Sequence, residues 1–210
     1  MVTASAASAI PCSERLTGLP PRVSERTVVL VLGSFPGAAS LAARQYYGHP
    51  QNHFWKILQA IWPDSPLPAG IDSYEKRIEW LLDHGLGLWD VYASCERQGS
   101  LDTHIRNAEV NDFARLKPLC PRLAAIVHNG GESYRHAALV LRSLSAAGPP
   151  QGAKAPSGGS EDTSVPSVGA MPLGLPVYRL PSTSPANASW SFQRKLAAWR
   201  DVLAAHGLTG

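Results

Sequence analysis

The chain has 210 residues, of which 44% are hydrophobic and 17% charged, with a net charge of +3. That supplies apolar material for one core, and the mild positive charge permits an anionic partner such as nucleic acid without demanding one. No apolar run reaches the roughly 18 residues of a membrane span, and the three scattered cysteines, Cys12, Cys95 and Cys120, lack C-x-x-C spacing and read as free thiols in a reducing compartment.

Residues 1–26 are rich in Ala, Ser and Pro, lack the basic and apolar regions of a signal peptide, and are expected to form a flexible tail. "TVVLVLG", Thr27–Gly33, is β-branched and continuously apolar, the pattern of a strand buried on both faces of a parallel sheet. "NHFWKILQAIW" sets Phe54, Ile57, Leu58 and Ile61 at helical spacing. Its start is either Asn52 as N-cap or His49 as cap with Pro50 as the first helical residue. "SYEKRIEWLLDHG" predicts a second helix between a Ser73 cap and a Gly85 stop. "LGLWDV" reads as the second strand, "NDFARLKPL" as a short helix capped by Asn111, "LAAIVHNGG" as the third strand and "ESYRHAALVLRSL" as a helix. Residues 145–173 are dominated by Gly, Pro, Ser and Ala and are expected to be a disordered insertion. "LPVYRLP" is the fourth strand and "SWSFQRKLAAWRDVLAAHG" the last helix. This alternation predicts an α/β three-layer sandwich, with a four-stranded, mostly parallel central sheet, in one domain over residues 27–210.

In such sheets the ligand crevice lies beyond the carboxyl ends of the strands. The segments to inspect are therefore Gly33–Gly37, Asp90–Cys95, His128–Gly131 and Pro181–Asn187. "GSFPG" is either plain turn punctuation or a pocket floor; it is neither a Walker loop nor a G-x-G-x-x-G fingerprint. Asn52 is either only a helix cap or a group that holds water, because its amide carbonyl accepts a hydrogen bond although it is no base. Of the neighbours Phe54 and Trp55 only one can point straight into the core, which leaves the other as a wall on which a flat base could stack. Asp90 is either paired structurally or faces the crevice, and Asn129 either serves its turn or does the same. His49 and His128 are possible acid–base groups. Ser182, Thr183 and Ser184, before Pro185, either cap the last helix or present donors at its N-terminus to a phosphate. Arg194, Lys195 and Arg200 lend modest support to a phosphate-facing side.

Together, "GSFPG…SL…QYYGHPQNHFW", "GLWDVYASCERQGSLD", "IVHNGG" and "LPSTSPANA" resemble the uracil-DNA glycosylase superfamily, and most of all its hypoxanthine-DNA glycosylase branch. The likeness spans about Val28–Leu144 and Leu175–Ala205. It implies an enzyme without metal or cofactor that binds damaged DNA, turns out a deaminated base and hydrolyses its N-glycosidic bond. Where other branches carry Asp or Asn as the third residue of the first motif, this chain has Phe35, and the resemblance passes the water-positioning role to Asn52. Phe54 is then expected to stack on the base, while the backbone of Gly33, Ser34 and Phe35, with Asp90 and Asn129, reads its edge. Asp90 falls where uracil-removing members carry Asn. An ionised Asp offers acceptors only, which suits the N1–H of hypoxanthine better than uracil. Ser182, Thr183, Ser184, Pro185, Ala186 and Asn187 are expected to enter the duplex and grip its phosphates. No lysine in either motif suggests lyase chemistry. A cytoplasmic monomer with no obligate protein partner is expected.

Overall fold

Strands that are apolar along their whole length need cover on both faces, and the fold supplies it. The computed structural model describes residues 15–70, 73–145, 168–170 and 174–209. In chain order its elements are β1 (Arg15–Thr17), β2 (Val29–Gly33), α1 (Ala38–Ala43), α2 (Phe54–Ile61), α3 (Tyr74–Asp83), β3 (Leu86–Asp90), β4 (Tyr92–Glu96), β5 (Arg106–Val110), β6 (Ala125–Asn129), α4 (Gly131–Tyr134), α5 (Ala137–Ser145), β7 (Val168–Ala170), β8 (Pro176–Leu180) and α6 (Phe192–Ala205). Single 3-10 turns form at Asp102–His104 and Phe113–Leu116.

The main sheet has the order β3-β2-β6-β8-β7; its first four strands are parallel, and β7 pairs antiparallel with β8. The four expected strands are therefore present in the expected parallel sheet. Side chains alternate between two cores. Val29, Val31, Leu86, Leu88, Ala125 and Val127 pack with Ile57 and Leu58 of α2, Leu81 of α3 and Trp199 of α6. Leu30, Leu32, Trp89 and Ile126 pack with Phe113, Val140 and Leu141 on the other face. Each such aliphatic side chain taken fully out of water contributes about 1.5–3 kcal/mol, which is what holds the layers together. In register, Gly33 lies beside Asp90 and Asn129 beside Leu180, so the strand ends form one rim.

Several local expectations are corrected. Residues 15–26 are not a tail. β1 pairs with β4, which pairs with β5, in a second, antiparallel sheet. Arg22 exchanges two 2.8 Å backbone hydrogen bonds with Leu88, covering the outer edge of β3 that would otherwise be open. Residues 1–14 lie outside the described residues. Of the segment read as an insertion, Ser145 closes α5 and Val168–Ala170 forms β7, while residues 146–167 and 171–173 lie outside the described residues. Ser73 does not cap α3, because its hydroxyl donates back to the Gly70 carbonyl at 2.7 Å; Gly85, at φ +76°, does close that helix. Asp112, not Asn111, caps the turn at Phe113, accepting the Ala114 N–H at 3.1 Å. Asn111 instead donates to the backbone carbonyl of Asp90 at 2.9 Å. The last helix starts only at Phe192, where Ser191 accepts the Arg194 N–H. Among the described residues no helix is long and apolar enough to cross a membrane.

Candidate active site at the carboxyl rim of the sheet

At this rim a cavity of about 430 Å³ opens, within the range of small-ligand clefts. Gly33, Ser34, Phe35, Asn52, Asp90 and Asn129 all line it, and so does the whole run from Ser182 to Asn187. Three strand ends and the start of α2 thus converge on one space. Among the described residues no group of three or more His, Cys, Asp or Glu is gathered to hold a metal ion.

Phe54 is the expected site residue that the structure removes. It is fully buried, edge-on to Trp199 at 5.6 Å, and it does not line the cavity. Helical spacing turned it inward with Ile57 and Leu58. The cavity ring is Tyr47, which stacks on Phe54 at 3.9 Å between centroids and 24° between planes. Tyr47 adopts φ +55°, which L-residues rarely take, and that backbone turn carries its ring over Phe54.

Asn52 precedes α2 rather than lying inside it. Its Oδ1 accepts the Phe54 N–H at 2.9 Å, and its own N–H donates to the His49 carbonyl at 2.8 Å. These two bonds fix the carboxamide while Oδ1 keeps a second lone pair. The side chain is half-buried at the cavity wall, so that lone pair can meet water. The N-cap position of α2 is His53 and neither Asn52 nor His49, but the Asn52 side chain takes the first helical N–H from one residue outside and also lines the cavity.

Asp90 is only 4% exposed, and its Oδ2 has no hydrogen-bond partner. Burial first, and then the like charge of Asp102, push its carboxyl up to about 8, against the opposing influence of Arg97. At neutral pH the group is therefore mostly protonated. An acid in that state offers a donor as well as an acceptor. Asp90 therefore does not offer acceptors alone, as an ionised carboxylate would, and on this burial it no longer disfavours uracil. Arg97 does not pair with it: the guanidinium donates to the Pro36 carbonyl and lies 5.0 Å from the centre of the Phe35 ring. The Phe35 ring itself is packed in the core, which leaves its backbone to face the cavity.

Asn129 has both ends of its amide engaged. Nδ2 donates to Thr183 Oγ1 and Oδ1 accepts the Thr183 N–H, each at 2.9 Å. Thr183 is fully buried, and its carbonyl accepts the His53 N–H at 3.0 Å. Asn129 is thus a clamp that keeps a second Nδ2 hydrogen and a second Oδ1 lone pair at the cavity it lines, and Thr183 is a bridge from β6 to the start of α2. Gly130, at φ +120°, makes the clamp possible, since a Cβ there would come 3.2 Å from Ser182 Cβ.

The rest of the loop braces itself. Ser182 Oγ accepts the Ser184 N–H and Ser184 Oγ accepts the Ala186 N–H, both at 3.2 Å. Asn187 Nδ2 donates to the Ser182 carbonyl at 3.1 Å. Lys195, almost wholly buried, donates to the Asn187 carbonyl at 2.9 Å, so it supports the loop from behind rather than facing phosphates. The Ser182 and Ser184 hydroxyls therefore accept in side-chain turns and keep their O–H donors, but they do not stand at a helix N-terminus, since α6 starts only at Phe192. Pro185 and Ala186 stand exposed at the tip.

Two histidines separate cleanly. His49 is on the cavity wall, its Nδ1 accepting the Gln51 N–H at 3.2 Å. His128 is fully buried away from it. The Ser133 hydroxyl donates to the Leu32 carbonyl, so His128 Nδ1 must donate to Ser133 Oγ, at 2.7 Å. Burial chiefly, with His136 nearby, holds its imidazole down at about 3, so it stays neutral. Tyr47 and Ser100–Asp102 fall inside the quoted motifs but carry no individual site role there; in the structure Tyr47 is a cavity ring and Ser100–Thr103 bring Asp102 to the rim, where Ser34 Oγ donates to it at 2.7 Å.

Residues 20–203 match the family profile of the uracil DNA glycosylase superfamily. A hypoxanthine DNA glycosylase of Methanosarcina barkeri is 40% identical over 127 residues, which is 60% of this chain and 78% of that protein. One from Methanosarcina acetivorans is 38% identical over 124 residues, 59% of this chain and 76% of its own length. The solution NMR structure of a candidate uracil DNA glycosylase from Methanosarcina acetivorans superposes with a TM-score of 0.67 at 30% identity, covering 92% of this chain and 99% of that one.

Proposed function

The chain belongs to the uracil DNA glycosylase superfamily, and we propose that it is a monofunctional DNA glycosylase that everts deoxyinosine from the duplex and hydrolyses its N-glycosidic bond. The observation that carries this reading is the meeting of Asn52, Asp90 and Tyr47 in one cavity beside a self-braced loop. The curated relatives named for hypoxanthine favour that base over uracil.

Pro185 and Ala186 form a small, stiff wedge that enters the base stack near the lesion. Unstacking costs a few kcal/mol, least where the base is mispaired, as inosine opposite thymine is. The everted purine stacks on Tyr47, whose other face Phe54 supports. Backbone groups of Gly33, Ser34 and Phe35 and the Asp90 side chain meet the base edge. As the C1′–N9 bond lengthens, its electron pair moves onto the purine and C1′ becomes cationic, while the flanking DNA phosphates stabilise that charge. Asn52 Oδ1 accepts a hydrogen bond from one water and aims its oxygen at C1′. The new C–O bond forms as the base leaves, and the proton released from water ends on the departing hypoxanthine. Donors already in place for the developing negative charge lower the barrier because they need no rearrangement. Water is the only co-reactant, so the reaction calls for no cofactor. The enzyme works as a cytoplasmic monomer, and damaged DNA is its partner.

Excision from duplexes carrying hypoxanthine, uracil, xanthine or thymine, each opposite several bases, tests the reading. Hypoxanthine should be released fastest. Faster release of uracil than hypoxanthine would transfer the chain to the uracil class.

Gly33→Ala is expected to damage this site without a change at the rim surface. A Cβ there would run into Asp90 Oδ1, so the carboxyl must move. A displacement of about 1 Å can cost on the order of 10²-fold in rate. Single-turnover excision beside a circular dichroism melt should show that loss in a protein that still folds.

A further inference from the structure

We propose that Asp90 acts as an uncharged carboxylic acid, its O–H donating to O6 and its C=O accepting from N1–H of the everted hypoxanthine, so that it reads a cyclic amide edge and ceases to read it on ionising. This rests on the glycosylase reading and names what the site recognises.

The geometry carries it. Asp90 lines the cavity, is 4% exposed and leaves Oδ2 without a partner. The Tyr47 hydroxyl in the same cavity is also buried; it makes no hydrogen bond of good geometry, and burial raises its phenol while the Asn129 amide beside it eases it slightly downward. A buried carboxyl oxygen left without a partner on the wall of a cleft is one that the polar edge of a ligand can complete. The surroundings of Asp90 do not favour a carboxylate. Asp102 reaches it from its 3-10 turn with like charge, while Tyr46 and Tyr47 face it from the loop after α1, their phenols held above the ordinary range chiefly by burial. Asn111 donates to the backbone carbonyl of Asp90, not to its carboxyl. Arg97, the one cation among these facing groups, is turned to the Pro36 carbonyl and the Phe35 ring, and forms no ion pair with Asp90. The carboxyl group lies at about 8 on the pH scale, so the acid is the neutral-pH form.

An uncharged acid meets both atoms of the N1–H/C6=O6 edge, whereas a carboxylate would set a negative charge against O6. Negative charge also builds on O6 as the base departs, so the O–H···O6 bond strengthens along the reaction and lowers the barrier. Uracil carries the same pair of groups at N3–H and O4. Asp90 therefore admits uracil too and does not by itself set the preference between the two bases.

The test is the single-turnover rate of hypoxanthine release from a deoxyinosine duplex between about pH 6 and 9.5, for wild type, Asp90→Asn and Asp90→Ala. The carboxamide keeps a donor and an acceptor but does not titrate. N1–H of the substrate itself ionises in alkali, so the ratio of wild type to Asp90→Asn at each pH is what is read. With the Asp90 carboxyl at about 8, that ratio should fall about tenfold from pH 7 to pH 9. Asp90→Asn should stay within about tenfold of wild type at pH 7, and Asp90→Ala should lose on the order of 10²-fold. A constant ratio across the range, or a folded, DNA-binding Asp90→Asn as inactive as Asp90→Ala, overturns the proposal. A duplex carrying 1-methylhypoxanthine, which lacks the N1–H donor, gives a check on the wild-type protein alone. Release as fast as from hypoxanthine overturns the proposal, and a loss on the order of 10²-fold supports it. If the wild type releases no hypoxanthine at any pH, the glycosylase reading itself has failed, a result distinct from a flat ratio.

Discussion

Asn52→Ala is expected to lower single-turnover release of hypoxanthine by about 10³-fold, within the span typical of groups that direct proton-bearing reactants, and to leave affinity for the inosine duplex nearly unchanged. The reason is local. Asn52 Oδ1 is held by the Phe54 N–H at 2.9 Å and its backbone by His49, so its free lone pair has a defined direction. Removing the carboxamide leaves water in the cleft with no fixed approach to C1′, while the wedge at Pro185 and Ala186 and the Tyr47 ring remain. The lost cap costs about 1 kcal/mol of stability, a fall in melting temperature of a few degrees. Asn52→Asp keeps an acceptor for both the Phe54 N–H and the water and should retain much more activity than the alanine variant. An alanine variant within tenfold of wild type would remove Asn52 from the mechanism.

The second large effect is on stability and depends on pH. In the unfolded chain the Asp90 carboxyl has its ordinary value of 3.8, whereas in the folded protein burial holds it at about 8. Between those limits the native state keeps a proton that the unfolded chain has released. The unfolded state binds fewer protons there, so native stability falls as pH rises, by up to about 1.4 kcal/mol per unit, and levels off above the folded value. The penalty is absent below about pH 4 and amounts to a few kcal/mol at neutral pH. Asp90→Asn removes the titration. Its melting temperature should exceed that of wild type by on the order of 10 °C at about pH 8, with the gap closing toward pH 4. A gap that stays the same at every pH would show that Asp90 does not hold its proton in the fold.

Such a penalty at a cavity wall marks where function sets the residue. Strongly shifted buried acids of this kind cluster at functional sites, and Asp90 stands in a cleft. The supporting groups are different. Asn129, Thr183, Asn111 and Lys195 have their polar atoms engaged with backbone or with one another, and they hold the loop and Asp90 in place.

The main sheet was legible because "TVVLVLG" and "LAAIVHNGG" are apolar at consecutive positions, which only cover on both faces explains. The small antiparallel sheet was not. β5 is "RNAEV", exposed or half-exposed throughout, and β1 is three residues long, so neither shows a hydrophobic period. What joins them is tertiary: Arg15 reaches both Ser94 and Glu109. In the site, Asn52 and Asp90 were readable from position alone, at a helix start and a strand end. The exchange of Phe54 for Tyr47 was not, because it depends on a positive φ at a tyrosine, for which no residue pattern gives notice. Thr183 could not be told from Ser182 and Ser184 in a run of hydroxyls. Its burial comes from Asn129, 54 residues earlier. The protonation of Asp90 was likewise hidden, since Asp102 and Arg97 act on it through the fold and not through the sequence pattern.

The account stands most directly on one measurement: free base released from an inosine-containing duplex by excess enzyme, quantified by mass spectrometry, beside the state of the DNA strand. The account predicts stoichiometric hypoxanthine, an intact strand that breaks at the abasic site only in alkali, and no borohydride-trapped protein–DNA adduct. Tight binding of the inosine duplex with no hypoxanthine released would contradict it and make the protein a binder of damaged DNA.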